Sequence, residues 1–200
     1  NDGSSWANAF SELRDALPVA RLAPRRVNEV WVAAGTYTPA PANGDRTATF
    51  EAVTDAGIYG GFVGNEVALN QRDPARNVTV LSGDLNANDT APFGNRSDNS
   101  YHVVVSLWPA DERTVLDGFT IRGGVGASDF TGYPIEEPTG AGVGCYLSSF
   151  TLSNCIITDN RCFDSYDQYA PDWGGGGMYV VGSPHVSNCV FVGNAAGYGG

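Results

Sequence analysis

The sequence predicts an all-β chain folded as a parallel β-helix, a solenoid in which each turn of chain stacks on the one before. The first observation is an internal repeat: residues 153–160 (SNCIITDN) align with 187–194 (SNCVFVGN), and 116–123 (LDGFTIRG) is a looser third copy. The second is the period, since the equivalent residues Leu116, Leu152 and Val186 lie 36 and 34 residues apart. Such a period indicates stacked units that bury their apolar faces only against their neighbours.

The N-terminal part, residues 1–26, is predicted to form a capping helix region, and residues 27–200 the β-helix itself. The helix is indicated by apolar residues at helical spacing: Trp6, Phe10, Leu13 and Leu17. Ser4 or Ser5 can cap it, and the pattern fades at Pro18. A capping element is expected because the first coil of a solenoid exposes an apolar end and an unpaired strand edge.

After Pro18 the chain consists of short β-rich segments separated by Gly, Asn and Asp, which a sandwich or barrel could also explain. The repeat favours the β-helix, because apolar residues recur at matching places: Leu116, Phe119 and Ile121; Leu152, Cys155 and Ile157; Val186, Cys189 and Phe191. The spacing of three and then two indicates a bend followed by a strand. A strand is also expected before each bend, with Cys145 aligned to Met178. Asn160 and Asn194 end equivalent strands, where Asn tolerates left-handed backbone and its amide can bond along a ladder.

Several short motifs resemble known β-helical proteins. Residues 175–178 (GGGM) and 191–194 (FVGN) resemble the GGA(I/L/V) and FxxN repeats of polymorphic outer-membrane proteins, which are surface adhesins. FxxN also matches 62–65 (FVGN), and 157–160 (ITDN) matches with Ile for Phe. Further segments resemble landmarks of large secreted bacterial right-handed β-helix proteins: 3–10 (GSSWANAF), 34–37 (AGTY), 81–84 (LSGD) and 116–121 (LDGFTI). The resemblance implies a right-handed β-helix that is secreted or displayed on a cell surface.

Composition narrows the classes of partner. The chain has 22 acidic and 11 basic residues and a net charge of −11, so phosphate backbones and anionic lipid would repel it. No apolar run approaches the roughly 20 residues of a membrane-spanning helix. We therefore expect neither nucleic-acid binding nor membrane insertion, and expect partners among surface proteins or polysaccharides.

The four cysteines have two interpretations. Cys155 and Cys189 occupy equivalent inward positions, so they and Cys145 suit small core residues in stacked coils. Cys162 falls outside the repeat, on a loop, and could bridge to Cys145 or Cys155 in an oxidising compartment.

One turn has the beginnings of a calcium loop, although no cofactor is otherwise indicated. Side chains that carry oxygen atoms occupy alternate positions in residues 84–89. This pattern predicts that Asp84, Asn86, Asn88 and Asp89 are calcium ligands. The sixth position is Asp89 rather than Gly, and Asn95 stands where an EF-hand has its closing Glu. The alternative is a polar turn rich in Asn and Asp for their backbone preferences.

The segment 161–173 interleaves aromatic and acidic residues that could contact a sugar: Phe163, Asp164, Tyr166, Asp167, Tyr169, Asp172 and Trp173. Aromatic faces suit the C–H faces of a sugar ring, and carboxylates accept bonds from its hydroxyl groups. The alternative is a loop that buries its aromatics on its own coil. A second long segment, 127–140, carries Glu136 and Glu137, which point apart in extended chain and form a poor acid/base pair.

The function predicted is therefore an extracellular or cell-surface module for adhesion, glycan contact or scaffolding, without catalysis. Because β-helices also host polysaccharide lyases and glycoside hydrolases, the alternative is such an enzyme, using Asp84, Asp117 and the segment 161–173. The aligned copies place Asp117 opposite Ser153 and Ser187, with no stack of carboxylates.

The final residues, 197–200 (GYGG), resemble the start of another strand. We therefore expect either more coils after them or another chain on that edge, associated end to end or strand to strand.

Overall fold

In a computed structural model of the chain, which describes residues 1–22, 27–107, 110–126, 140–162 and 174–196, the protein is mostly β, with parallel sheets and one α-helix. The helix α1 (Leu13–Leu22) follows a short 3₁₀ turn at Trp6–Asn8. The strands are β1 (Glu29–Ala33), β2 (Gly35–Tyr37), β3 (Phe50–Glu51), β4 (Gly57–Phe62), β5 (Thr79–Ser82), β6 (Val104–Leu107), β7 (Val115–Asp117), β8 (Phe119–Arg122), β9 (Val125–Gly126), β10 (Val143–Ser148), β11 (Thr151–Ser153), β12 (Ile156–Thr158), β13 (Arg161–Cys162), β14 (Met178–Gly182), β15 (His185–Ser187) and β16 (Val190–Val192).

Within the described residues every pair of neighbouring strands is parallel. One sheet has the order β1-β4-β7-β11-β15, a second β3-β6-β10-β14, a third β2-β5-β8-β12-β16, and a short fourth pairs β9 with β13. Successive passes of the chain therefore add one strand to each long sheet in the same order. None of the four sheets closes on itself.

The predicted register of the repeat is confirmed. Leu116, Leu152 and Val186 are paired across β7, β11 and β15, and Ile58 of β4 continues the same row. A parallel row in the third sheet joins Leu81, Ile121, Ile157 and Phe191. Both rows are buried in the middle of the sheets, where Leu152 and Ile157 are 0 % exposed. At the last strands Val186 and Phe191 are 41 % and 45 % exposed, because no described residue covers them.

The helix begins later than the apolar pattern predicts. Trp6 and Phe10 precede it, no side chain caps the turn after Ser5, and Pro18 lies inside α1 rather than at its end. The buried face of the helix consists of Leu13, Leu17 and Ala20, at spacings of four and three. These residues join the main apolar core, so the helix does pack on the first strands.

Three details of the repeat differ from the prediction. Cys145 pairs with Val180, because Val143 is the residue opposite Met178, so the predicted alignment is two residues out. Cys162 lies in β13 rather than on a loop. The left-handed residue before Asn160 is Asp159, with φ of 53°, while Asn160 itself supplies the ladder.

Candidate functional site: an aromatic cleft and three polar clusters

The predicted glycan-binding residues lie outside the described part of the chain, since none of 163–173 is described. The same holds for Glu136 and Glu137. The sugar-binding interpretation of this segment therefore stays a prediction.

A different aromatic site lies at the N-terminal end of the fold. A cleft of about 840 Å³, here called the N-terminal cleft, separates residues 2–20 from β1, β2 and the turn 64–67. Its aromatic lining consists of Trp6, Phe10, Trp31 and Tyr37. Sites for small ligands commonly have volumes of roughly 300–1,000 Å³ and mainly apolar walls with a few polar groups, which this cleft matches.

The two tryptophans are held by packing and by their indole N–H groups. Trp31 stacks on Phe62 with ring centroids 4.8 Å apart and planes 9° apart, and Trp6 packs on the same Phe62 at 5.6 Å. The indole N–H of Trp6 donates to the Glu66 carbonyl at 3.0 Å, and that of Trp31 donates to the Glu29 carboxylate at 2.7 Å. Since both N–H groups are occupied, the rings offer a ligand their apolar faces.

The acidic residues of the cleft are Asp2, Glu12, Glu29 and Glu66, and none of its described lining residues is basic. Glu66 accepts N–H groups of Val63, Gly64 and Asn65 at 2.6–3.0 Å. Burial opposes its ionisation, but these bonds hold the pKa of Glu66 below its usual value. Burial, reinforced by the nearby Glu12 carboxylate, raises the pKa of Tyr37, which therefore stays a neutral phenol. The cleft is consequently negative at neutral pH and disfavours anionic ligands.

The carboxylate of Asp117, proposed above for the rival enzyme, is buried in a polar network. It accepts hydrogen bonds from Ser153 and from Asn154, the latter at 2.7 Å, and it forms an ion pair with the Arg72 guanidinium. Arg72 also donates to the Gly60 carbonyl at 3.0 Å, so it ties together two passes of chain. Asp84 belongs to a different sheet end and does not join this network.

In the turn predicted to bind calcium, backbone N–H groups hold the Asp84 carboxylate. Each oxygen of Asp84 accepts one backbone N–H, from Asn88 at 3.0 Å and Asp89 at 3.1 Å. The amide oxygen of Asn86 instead accepts the backbone N–H of Asn43, and the side chain of Asn88 is exposed. Among the residues with coordinates, no set of three His, Cys, Asp or Glu side chains is arranged to hold a metal ion.

Polar ladders join equivalent positions of the repeat. The Asn160 amide donates to Asn194 at 3.0 Å and to the Ile121 carbonyl at 3.1 Å, and its oxygen accepts the Gly124 N–H at 2.9 Å. The predicted asparagine ladder is thus confirmed, and a second one joins Asn188 to Asn154.

The cysteines act mainly as core residues. Cys145 and Cys155 are almost fully buried, and their thiols donate to carbonyls of Ser148 and Ser153, so neither is bridged to Cys162. A hydrogen bond from Cys155 lowers the pKa of the half-buried Cys189 to about 7, while burial raises that of Cys155. Cys189 is therefore the thiol of this pair that ionises first.

Sequence reasoning did not single out Arg72, Trp31 or Phe62. Arg72 lies in an irregular loop 45 residues before its partner Asp117, with no periodic signal to connect them. The motif 62–65 (FVGN) marked Phe62 as a repeat residue only, whereas the structure places it beneath the two tryptophans.

Comparison with protein-family models, curated proteins and solved structures found no match. No helix in the described ranges has the length and apolar character needed to cross a membrane.

Proposed function

We propose that the chain is a right-handed parallel β-helix and acts as a non-catalytic extracellular or cell-surface module that contacts neutral glycans through the N-terminal cleft. The fold part is supported by the parallel rows of equivalent residues, which add one strand to each long sheet per pass. Handedness and surface location come from the resemblance to secreted β-helix proteins.

The observation that carries the binding proposal is the pairing of aromatic rings with carboxylates in one cleft. Trp6 and Trp31 supply faces for the C–H side of a pyranose, and Glu12 and Glu29 supply acceptors for its hydroxyl groups. The negative lining would repel uronic acids and sulfated sugars, so neutral glycans suit the site best.

The Asp117 network supports a structural rather than catalytic use of that residue. A general acid or nucleophile needs a carboxylate that reaches the substrate, and a hydrolase needs a second one in range. Asp117 is 7 % exposed and its oxygens are occupied by Arg72, Ser153 and Asn154.

The test is binding to an array of neutral and acidic polysaccharides, followed by titration calorimetry with the best ligand. We expect neutral glycans to bind and Trp31→Ala to weaken binding by about tenfold or more, as loss of an aromatic anchor does. Tyr146→Ala, on β10 and outside the cleft lining, is the matched control. Unchanged binding by Trp31→Ala in a folded variant would exclude the cleft, and release of sugar products that Asp117→Asn abolishes would support the enzyme instead.

A further inference from the structure

Four buried side-chain atoms near the ends of β5 and β8 have no hydrogen-bond partner within the described residues. They are Asp89 Oδ1, Arg96 Nε, Asn99 Oδ1 and Ser100 Oγ. Asn99 and Ser100 are 0 % exposed, so solvent does not reach their oxygens. Burying a polar atom without a partner is costly, and a group of such atoms therefore points to a ligand that satisfies them.

The residues that carry these unpaired oxygens, Asp89, Asn99 and Ser100, are neighbours in the fold. The Asn99 amide nitrogen donates to Asp89 Oδ2 at 3.1 Å, which places the Asn99 amide group against the Asp89 carboxylate. The Ser100 N–H donates to the Gly83 carbonyl at 2.8 Å, which fixes Ser100 next to the turn that begins at Asp84. Asn99 also donates to the Gly123 carbonyl at 2.6 Å, so the end of β8 closes the other side.

The charge of this cluster is negative. Asp84 and Asp98 lie near Asp89, the guanidinium of Arg96 lies 3.4 Å from Asp89 Oδ2, and Arg46 Nε donates to the Asn99 carbonyl at 2.7 Å. Three carboxylates and two guanidinium groups leave one net negative charge, which favours a cation over an anion at this place.

We propose that the segment 84–100 binds one calcium ion through the Asp89 carboxylate, the Asn99 amide oxygen and the Ser100 hydroxyl, with Asp84 beside them. Carboxylate, amide and hydroxyl oxygens are hard ligands, and an irregular turn suits the flexible coordination of calcium better than the strict octahedron of magnesium. The Arg96 guanidinium lies beside the second oxygen of Asp89. This ligand set replaces Asn86 and Asn88 of the sequence prediction by Asn99 and Ser100.

The ion would cross-link two successive passes of the chain, because its ligands follow β5 and lie beside the Gly123 turn after β8. Its binding is independent of the glycan proposal and requires no sugar. Sites of this kind in extracellular modules have dissociation constants of roughly 0.1–1 mM.

The experiment is thermal unfolding of the whole chain in EDTA, in 10 mM calcium and in 10 mM magnesium. Calcium at roughly 10–100 times the dissociation constant should raise Tm by about 3–10 °C, and magnesium by much less. Asp89→Asn and the milder Ser100→Ala should abolish or strongly reduce the calcium shift. Glu112→Gln, which removes one exposed charge elsewhere, should keep it.

Absence of a calcium shift in the folded wild-type chain would overturn the proposal and leave buried water as the partner of these atoms. An equal shift with magnesium, or a full calcium shift in Ser100→Ala, would overturn it as well. The wild-type measurement decides the question even where Asp89→Asn does not fold.

Discussion

Replacing Arg72 by Met should destabilise the protein far more than replacing an exposed arginine. Arg72 and Asp117 form an ion pair whose side chains are only 15 % and 9 % exposed. Removing one partner of a buried pair typically costs about 3–5 kcal/mol, because the other charge is left uncompensated. Asp117 would keep its bonds from Ser153 and Asn154, so we expect the lower end, about 3 kcal/mol.

Urea unfolding and thermal melting measure this cost. In a chain of 200 residues about 3 kcal/mol corresponds to a fall in Tm of roughly 6–12 °C. The matched control is Arg113→Met, since Arg113 pairs with Asp55 at 2.6 Å but the two side chains are 68 % and 39 % exposed. Solvent screens an exposed pair and leaves it little effect on stability, so Arg113→Met should change Tm by no more than a few degrees.

A double-mutant cycle separates the ion pair from the packing of the Arg72 stem. Arg72→Met and Asp117→Asn together should cost less than the sum of the single changes, by roughly 1–3 kcal/mol. Additive effects, or equal losses in Arg72→Met and Arg113→Met, would refute the conclusion that this network ties the passes of chain together.

Three further predictions concern buried polar groups. Burial lowers the pKa of His102 from 6.5 to about 4, so the unfolded chain takes up the proton at a higher pH than the folded chain. The free energy of unfolding should therefore fall by about 2 kcal/mol between neutral pH and pH 5. Urea titrations at several pH values measure this fall, which should be absent from His102→Gln. Iodoacetamide at pH 7 should label Cys189 before the fully buried Cys145. Cys155→Ala should slow the labelling of Cys189 several-fold, because it removes the hydrogen bond that lowers the Cys189 pKa. Peptide mass spectrometry measures the order of labelling, and labelling of Cys145 first would contradict the prediction. Asn160→Ala should lower the free energy of unfolding in urea by about 2–4 kcal/mol, because it leaves buried groups on three neighbouring turns without hydrogen-bond partners. A loss below about 1 kcal/mol would show that the ladder is dispensable.

Periodic features of this protein were accessible from the sequence. Leu116, Leu152 and Val186 lie in one row because side chains one repeat apart share a register, and the sequence displays that spacing directly. Asn160 and Asn194 were recognisable for the same reason. In each case residues of similar chemistry, apolar in the first and Asn in the second, recur at one period, and strand pairing brings them into contact.

Features that depend on irregular chain were not accessible. The helix starts at Leu13 although Trp6 and Phe10 continue its apolar spacing, because those two aromatics line the cleft instead. The Arg72 pair and the orphaned oxygens of Asn99 and Ser100 arise where loops of unequal length meet the strand ends. No period relates these residues, so only the folded chain brings them together.

Apolar rows and buried polar groups contribute differently to the stability and to the strand register of this chain. A row of apolar side chains resists a slip of one residue, which would turn the row to the other face of the strand, but a slip of two residues would keep apolar residues on the buried face. The buried polar groups exclude the slip of two residues, because the Asn160 amide or the Asp117 carboxylate would then lose its partners. Hydrophobic burial thus drives the passes together, and the buried hydrogen bonds select the register in which they meet.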